Sequence, residues 1–100
     1  MIRGTTPKHT FKLPFDTSQI KEVNVMYAQY DQLLFKKERA DCVLTGDTIE
    51  VTLSQEETLL FNENVHVQVQ LKVLTVSGTV LATNVYVVDV GTVLDGEVLT

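Results

Sequence analysis

The sequence contains one cysteine, no tryptophan and two histidines among its 100 residues. With Cys42 as its single thiol, the chain can form no internal disulfide and no metal site built from several thiolates. A reduced compartment fits this composition. His9 and His66 are far apart in the sequence, so they do not make the closely spaced pair that is typical of zinc sites. We therefore expect no cofactor and no metal.

Long apolar runs are also missing. None approaches the roughly 18 residues that a membrane span requires, and residues 1–10 lack the apolar stretch of a signal peptide. With 8 basic and 13 acidic residues the net charge is -5, which opposes binding to nucleic acid and to anionic lipid. The one basic cluster, residues 36–39, is interrupted by Glu38. We expect a chain that starts in the cytoplasm and has neither a nucleic-acid nor a membrane partner.

Few side chains are candidates for catalysis. A nucleophilic thiol at Cys42 would need a nearby base and a lowered pKa, and a strand cysteine that fills a small volume is the simpler interpretation. Glu56 and Glu57 fall in the first turn of a predicted helix, where the helix dipole favours carboxylates. The sequence has no glycine-rich phosphate loop and no calcium-loop pattern. We predict that the protein is not an enzyme.

Alternating apolar residues dominate what is present. The period is two, and valine, threonine and isoleucine are frequent between turn signals at residues 45–47 and 77–78, which predicts strands throughout. The predicted strands cover residues 6–13, 20–30, 32–38, 48–53, 64–76, 79–90 and 92–99. A chain of this length is one domain. The pattern predicts an all-β fold: a single domain over residues 1–100, an antiparallel β-sandwich of about seven strands.

Two short segments interrupt the alternation. Asp16 is followed three positions later by Gln19, and Ser54 is followed by Glu57. Both spacings are typical of a helix N-terminus, and the second is a capping box. Each segment predicts a single helical turn that carries the chain from one sheet to the other, with residues 59–61 filling the gap between the sheets.

The hairpin at Ser77 and Gly78 decides which side chains share a face, because a slip of one residue exchanges the two faces. We predict a three-residue loop, residues 76–78, with Gly78 in the left-handed conformation. The predicted pairs are Val73 with Leu81, Leu71 with Thr83, Val69 with Val85 and Val67 with Val87. One face is then apolar, and the outer face carries His66, Gln68, Gln70 and Lys72 beside Ala82, Asn84, Tyr86 and Val88.

This outer face is polar but nearly uncharged. Protein interfaces are depleted in charge and enriched in tyrosine, so we predict a contact surface whose candidate residues are His66, Gln68, Gln70, Asn84 and Tyr86. The alternative is an ordinary hydrated sheet face. The apolar tail, residues 91–100, is expected to complete its own sheet, and the alternative is that it adds a strand to another chain.

Three stretches carry a family resemblance: residues 3–29 (RGTTPKHTFKLPFDTSQIKEVNVMYAQ), 49–61 (IEVTLSQEETLLF) and 65–73 (VHVQVQLKV). Together they resemble small virion proteins encoded by phages and prophages of Gram-positive bacteria. The layout is similar to the immunoglobulin-like N-terminal module of phage baseplate upper proteins, in which a helical turn also precedes a long strand.

The resemblance implies an immunoglobulin-like sandwich with a non-enzymatic structural role, as a tail, baseplate or head-tail accessory subunit. Its partners would be other virion proteins, through self-association or binding to a larger phage subunit. Its location would be the virion, and the cytoplasm of the bacterial host before assembly. The alternative function is a β-sandwich ligand-binding module of the carbohydrate-binding or adhesion type. The absence of tryptophan weighs against sugar stacking.

Overall fold

The computed structural model describes residues 1–99. These residues form eight strands and one short helix: β1 (Lys8–Lys12), β2 (Ile20–Gln29), β3 (Gln32–Glu38), β4 (Cys42–Thr45), β5 (Thr48–Thr52), α1 (Gln55–Leu59), β6 (Val67–Thr75), β7 (Val80–Ala82) and β8 (Tyr86–Val88). Two 3₁₀ turns cover Thr17–Gln19 and Arg39–Asp41. One sheet has the order β1-β5-β4, and the other has the order β3-β2-β6, with both β7 and β8 paired to β6. Because all these pairs are antiparallel, the predicted all-β sandwich is confirmed.

The core lies between the two sheets and follows from the alternation in the sequence. Every second residue of the long central strands β2 and β6 points inward. The buried side chains from these two strands are Ile20, Val23, Val25, Tyr27, Gln29, Val67, Val69, Leu71, Val73 and Thr75. Ile49 and Val51 of β5 face them, and Leu53 and Phe61 close one end of the sandwich. Each fully buried valine or leucine contributes about 1.5–3 kcal/mol relative to an exposed one.

Both predicted helical turns are confirmed. Asp16 Oδ1 accepts a hydrogen bond of 2.8 Å from the Ser18 backbone N–H. At α1 the Ser54 hydroxyl accepts from the Glu57 N–H at 3.1 Å, and a Glu57 carboxylate oxygen accepts from the Ser54 N–H at 2.8 Å. The same carboxylate lies 2.7 Å from Lys37 Nζ on β3. Glu57 therefore caps α1 and also ties it to the edge strand β3.

β4 was not among the predicted strands. It has only four residues, and its half-buried side chains Cys42 and Leu44 alternate with the exposed Val43 and Thr45. A turn with Gly46 at a φ of 57° connects it to β5, as the turn signal predicts. A strand this short gives too little alternation to be recognised, and its pairing with β5 supplies the stability that the local pattern does not show.

The predicted hairpin register is correct up to Thr83, whose N–H donates to the Leu71 carbonyl at 2.9 Å, and wrong after it. Gly78 has a φ of 91°, and Val73 pairs with Leu81, so the three-residue loop is confirmed. Beyond the break at residues 83–85, however, Val69 pairs with Tyr86 and Val67 pairs with Val88. The break therefore contains one residue more than the predicted register allows. As a result, the predicted strand 79–90 is two strands, β7 and β8.

Side-chain hydrogen bonds at the break account for the shift. The Thr83 hydroxyl accepts a hydrogen bond of 3.0 Å from the Leu71 backbone N–H, and the Thr83 carbonyl accepts one of 3.0 Å from Gln70 Nε2. Side chains thus replace part of the backbone ladder at this point. The consequence is an exchange of faces: Tyr86 shares the inner face with Val69, whereas Val87 lies opposite Gln68 on the outer face.

The expectation that the apolar tail completes its own sheet is wrong for the residues that the structure describes. Gly91 makes an isolated parallel bridge with Ile2, and residues 92–99 contain no strand. The tail instead passes α1, where the Gln55 side chain donates to the Leu99 carbonyl at 2.7 Å and accepts from its N–H at 2.8 Å. Over residues 1–99, no helix is long and apolar enough to cross a membrane.

Candidate protein-protein interface

The two glutamines of the predicted contact surface are engaged within the chain. Gln68 Oε1 accepts a hydrogen bond of 2.9 Å from the Asp31 backbone N–H, and Gln68 Nε2 donates to the Asp31 carboxylate at 2.7 Å. Asp31 and Tyr30 form the two-residue turn between β2 and β3, and both have a positive φ. The Gln70 side chain donates a hydrogen bond to the Thr83 carbonyl and so stabilises the break between β7 and β8. These amides therefore stabilise two irregular backbone segments, a role that an alternating pattern does not reveal.

The other three predicted contact residues do not form one surface with the glutamines. His66 is exposed and lines a shallow cavity with Tyr30 and Gln68. Asn84 is exposed within the break. Tyr86 has crossed to the inner face of its sheet, where its ring centroid lies 6.2 Å from that of Phe11 on β1. The structure thus brings His66 and Gln68 together and places Tyr86 on the opposite side of the sheet.

A different surface is rich in exposed apolar side chains. We call it the β7–β8 edge and define it as residues 80–88. Its large exposed side chains are Val80, Leu81, Val85, Tyr86 and Val87. Because β7 and β8 pair only with β6 among the described strands, this segment forms one border of its sheet. The sequence does not reveal this surface, because the predicted continuous strand would have buried Leu81, Val85 and Val87 on its apolar face.

A groove separates the β7–β8 edge from β1 in the opposite sheet. It contains a cavity of about 570 Å³ and a neighbouring one of about 230 Å³. Four residues border both cavities: Lys12, Leu13, Leu71 and Thr83. Phe11 and Tyr86 face each other across the larger one. We call this opening the lateral groove; it leaves part of the sandwich interior accessible from the side.

His9 lies in the wall of the lateral groove and contacts the buried core. Its Nδ1 shares a hydrogen bond of 2.8 Å with the hydroxyl of Tyr27, and the two rings are stacked at 5.7 Å between centroids. Burial, together with the positive amino terminus, lowers the pKa of His9. Burial also raises the pKa of the Tyr27 hydroxyl, so that group remains protonated. Both rings are therefore neutral near pH 7. A neutral His9 ring can pack against Tyr27 at the partly covered edge of the sandwich without burying a charge.

The open border of β1 carries backbone groups that can pair with a further strand. β1 pairs with β5 on one side, and the ladder continues to Leu13, whose N–H donates to the Asp47 carbonyl at 2.7 Å. Since alternate residues of an antiparallel strand point toward its partner, Phe11 also directs its backbone groups to β5. Lys8, Thr10 and Lys12 then direct theirs away from β5.

Cys42 has the environment of a structural thiol. It is half-buried, and its Sγ donates a weak hydrogen bond to the Glu38 carbonyl at 3.3 Å. Burial, followed by the charge of Asp41, raises the pKa of the Cys42 thiol. A raised pKa reduces the thiolate fraction, which is the nucleophilic form. Within residues 1–99, the His, Cys, Asp and Glu side chains form no group of three that could hold a metal ion.

The basic cluster at residues 36–39 is divided by the structure. Lys37 points inward to Glu57, while Lys36 lies on the outside with its Nζ 4.0 Å from Glu38. The two lysines therefore do not present a joint positive surface.

Comparison of the chain with known proteins finds no matching family model, no matching curated protein and no matching solved structure. The resemblance to phage virion proteins therefore stays a prediction.

Proposed function

We propose that this protein is a non-enzymatic structural subunit that acts through protein-protein contacts, with the β7–β8 edge and the lateral groove as its contact surface. The observation that supports this proposal most strongly is the group of five large apolar side chains exposed within residues 80–87. Natural sheet edges are usually short, charged or covered, because unpaired strands associate with other chains. Exposed apolar side chains concentrated at one border of a sheet are typical of interaction sites.

We further propose that the assembly is a phage or prophage virion, with the protein in the tail, the baseplate or the head-tail region. The support for this part is the resemblance of residues 3–29, 49–61 and 65–73 to small virion proteins. Its partners would be copies of itself or a larger virion subunit. It would be located in the virion, after synthesis in the bacterial cytoplasm.

The contact surface can be tested with one matched pair of variants. Tyr86→Lys places a charge in the lateral groove, and Tyr30→Lys makes the same change on a tyrosine at the β2–β3 turn; the two side chains are 51% and 70% exposed. The molar mass of each protein is measured by light scattering over a wide concentration range. We expect a defined oligomer that Tyr86→Lys weakens and Tyr30→Lys leaves unchanged. Equal behaviour of the two variants would contradict the proposed surface.

Virion membership needs a separate measurement. Particles would be induced from a strain that carries the gene, purified on a density gradient and analysed by mass spectrometry. The expected result is that peptides of this protein co-migrate with the particles at a constant ratio to the major tail proteins. Their consistent absence from intact particles would contradict a virion role, whatever the oligomeric state of the purified protein.

One observation favours the second candidate function, a ligand-binding module. The lateral groove presents Phe11, Tyr86 and the neutral His9 ring on its walls, and aromatic rings are common in the pockets of small-molecule sites. A glycan array probed with the wild-type protein and with Tyr86→Lys distinguishes this candidate. Binding that depends on Tyr86 would support it, and an array without binders would contradict a carbohydrate ligand.

A further inference from the structure

The tail carries the two most exposed large apolar side chains of the described residues. Among residues 92–99, Leu94 is fully exposed and Leu99 is mostly exposed, while Val93 and Val98 are half-buried. The segment contains no strand, and the Gln55 side chain holds Leu99 at its far end. We call residues 92–99 the arm.

The arm has the alternation of a strand that is covered on one side. In an extended conformation Leu94, Gly96 and Val98 would share one face, because side chains alternate along a strand. Asp95 and Glu97 would lie on the other face, together with Val93 and Leu99. The arm thus combines one uncharged face with one face that carries both of its acidic side chains, although in its own chain it forms no strand.

The β1 border of the lateral groove has the complementary alternation. The half-buried side chains His9, Phe11 and Leu13 face the groove, while Lys8 and Lys12 lie on the exposed side of the strand. Lys8 Nζ lies 3.4 Å from Glu50, so part of its charge is already compensated. Lys12 is exposed and borders both cavities of the groove. An arm added at this border would meet apolar residues with its uncharged face, and would bring the face that carries Asp95 and Glu97 toward the lysines.

We propose that the arm of one copy adds to β1 of a second copy as an antiparallel strand and fills its lateral groove. This inference depends on the self-association proposed above and identifies the contact through which it occurs. The added strand would use the backbone groups that Lys8, Thr10 and Lys12 direct away from β5, which is the usual mode of strand addition at a sheet edge. Eight extended residues span about 26 Å, which is enough to cover the whole of β1 together with Leu13.

One register satisfies both the size and the charge of the two strands. Gly96 opposite Phe11 places the smallest arm residue where the Phe11 ring already packs against Tyr86. The same register sets Asp95 opposite Lys12, and Leu94 opposite Leu13. Directly opposed charges of opposite sign are favourable cross-strand pairs, and those of like sign are unfavourable.

The occupant is a second copy because the path of the arm in its own chain leads elsewhere. The Gly91 N–H donates to the Met1 carbonyl at 2.6 Å, and the Gly91 carbonyl accepts from the Arg3 N–H at 3.3 Å. These bonds direct the following residues past α1, where Gly96 lies close to Leu59. To enter its own groove, the chain would have to break them and reverse direction at once.

The test uses full-length variants and light scattering at low ionic strength. Leu94→Asp should weaken association about tenfold or more, because a buried leucine is replaced by a charge. Leu33→Asp makes the same change on an exposed leucine of β3 and should leave association unchanged. Circular dichroism should show that both variants remain folded, since both leucines are exposed in the isolated chain.

A charge exchange then tests the register. Lys12→Glu and Asp95→Lys should each weaken association about threefold to tenfold, and a chain with both changes should recover most of the wild-type affinity. Recovery in the double variant, with a normal Leu33→Asp control, would support the arm as occupant. Without recovery, the register proposed here is overturned.

The outcomes separate this inference from the proposed function. An oligomer that Tyr86→Lys breaks and Leu94→Asp leaves intact keeps the contact surface and overturns the arm as its occupant. A wild-type protein that remains monomeric at all concentrations overturns the strand addition. Virion membership is decided independently, by the particle analysis.

Discussion

Replacing Gln29 should destabilise the fold more than any single surface change, because this side chain is buried and fully engaged. Its Nε2 donates to the Asn62 carbonyl at 3.0 Å and to the Val65 carbonyl at 3.1 Å, and its Oε1 accepts from the Asn62 N–H at 2.7 Å. Gln29 therefore secures residues 62–65, which connect α1 to β6. Gln29→Met keeps a similar volume and removes these three hydrogen bonds.

The expected loss follows from the hydrogen bonds. An ordinary intramolecular hydrogen bond contributes about 1 kcal/mol net, and unsatisfied buried groups cost more. Since Asn62 is exposed and can be partly rehydrated, we expect Gln29→Met to lower the free energy of unfolding by about 2–3 kcal/mol. In a domain of this size such a loss lowers Tm by about 10–20 °C.

The measurement is urea denaturation followed by circular dichroism, at a concentration below that of any association. Gln32→Met is the matched control, because Gln32 is the cross-strand partner of Gln29 and its side chain is exposed. The control should change stability by less than about 0.5 kcal/mol. If Gln29→Met were as mild as its control, the buried amide would not be what holds residues 62–65.

Three further predictions concern pH, an ion pair and a turn. The pKa of His9 is lowered in the folded state, so the unfolded chain binds the proton more readily than the folded chain. The free energy of unfolding should therefore fall as the pH drops below about 6.5, and His9→Gln should reduce this pH dependence in urea denaturation measured at several pH values. Lys37→Met leaves the Glu57 carboxylate without its cation at 2.7 Å and should cost about 1–2 kcal/mol, whereas Lys36→Met, which removes an exposed pair, should cost less than about 0.5 kcal/mol in the same urea assay. Gly78→Ala meets no neighbouring atom but must adopt a φ of 91°, so thermal unfolding should show a loss of about 1 kcal/mol.

Features that depend on local sequence could be predicted. The capping box of Ser54 and Glu57 needs only a spacing of three residues, and the left-handed position in the β6–β7 loop needs only a glycine at Gly78. The alternation in β2 and β6 also suffices to identify the core face, because these strands are long and covered on one side only. Each of these signals is contained within one element and its immediate neighbours.

Features that depend on competition between distant groups could not be predicted. The register after Thr83 changes because the Thr83 hydroxyl and the Gln70 side chain make hydrogen bonds across two strands in place of the regular ladder. Gln68 is engaged by a turn that lies 37 residues away in sequence. A glutamine on a polar strand face looks the same in sequence whether it binds solvent, a partner or a turn, so the predicted contact surface included side chains that serve the fold.

The break at Thr83 also bears on how the proposed assembly would select its partner. A regular strand over residues 79–90 would have given the sheet a long, flat border that could pair with many exposed strands. The break divides this border into two strands of three residues each and turns Tyr86 toward Phe11. Backbone pairing along β7 and β8 alone is then short and weak. A partner strand is better accommodated at β1, where side chains of the lateral groove would contact it. The choice of partner would then depend on the sequence of the added strand and not on its backbone alone. On this reasoning, straightening the break would increase association while reducing its specificity.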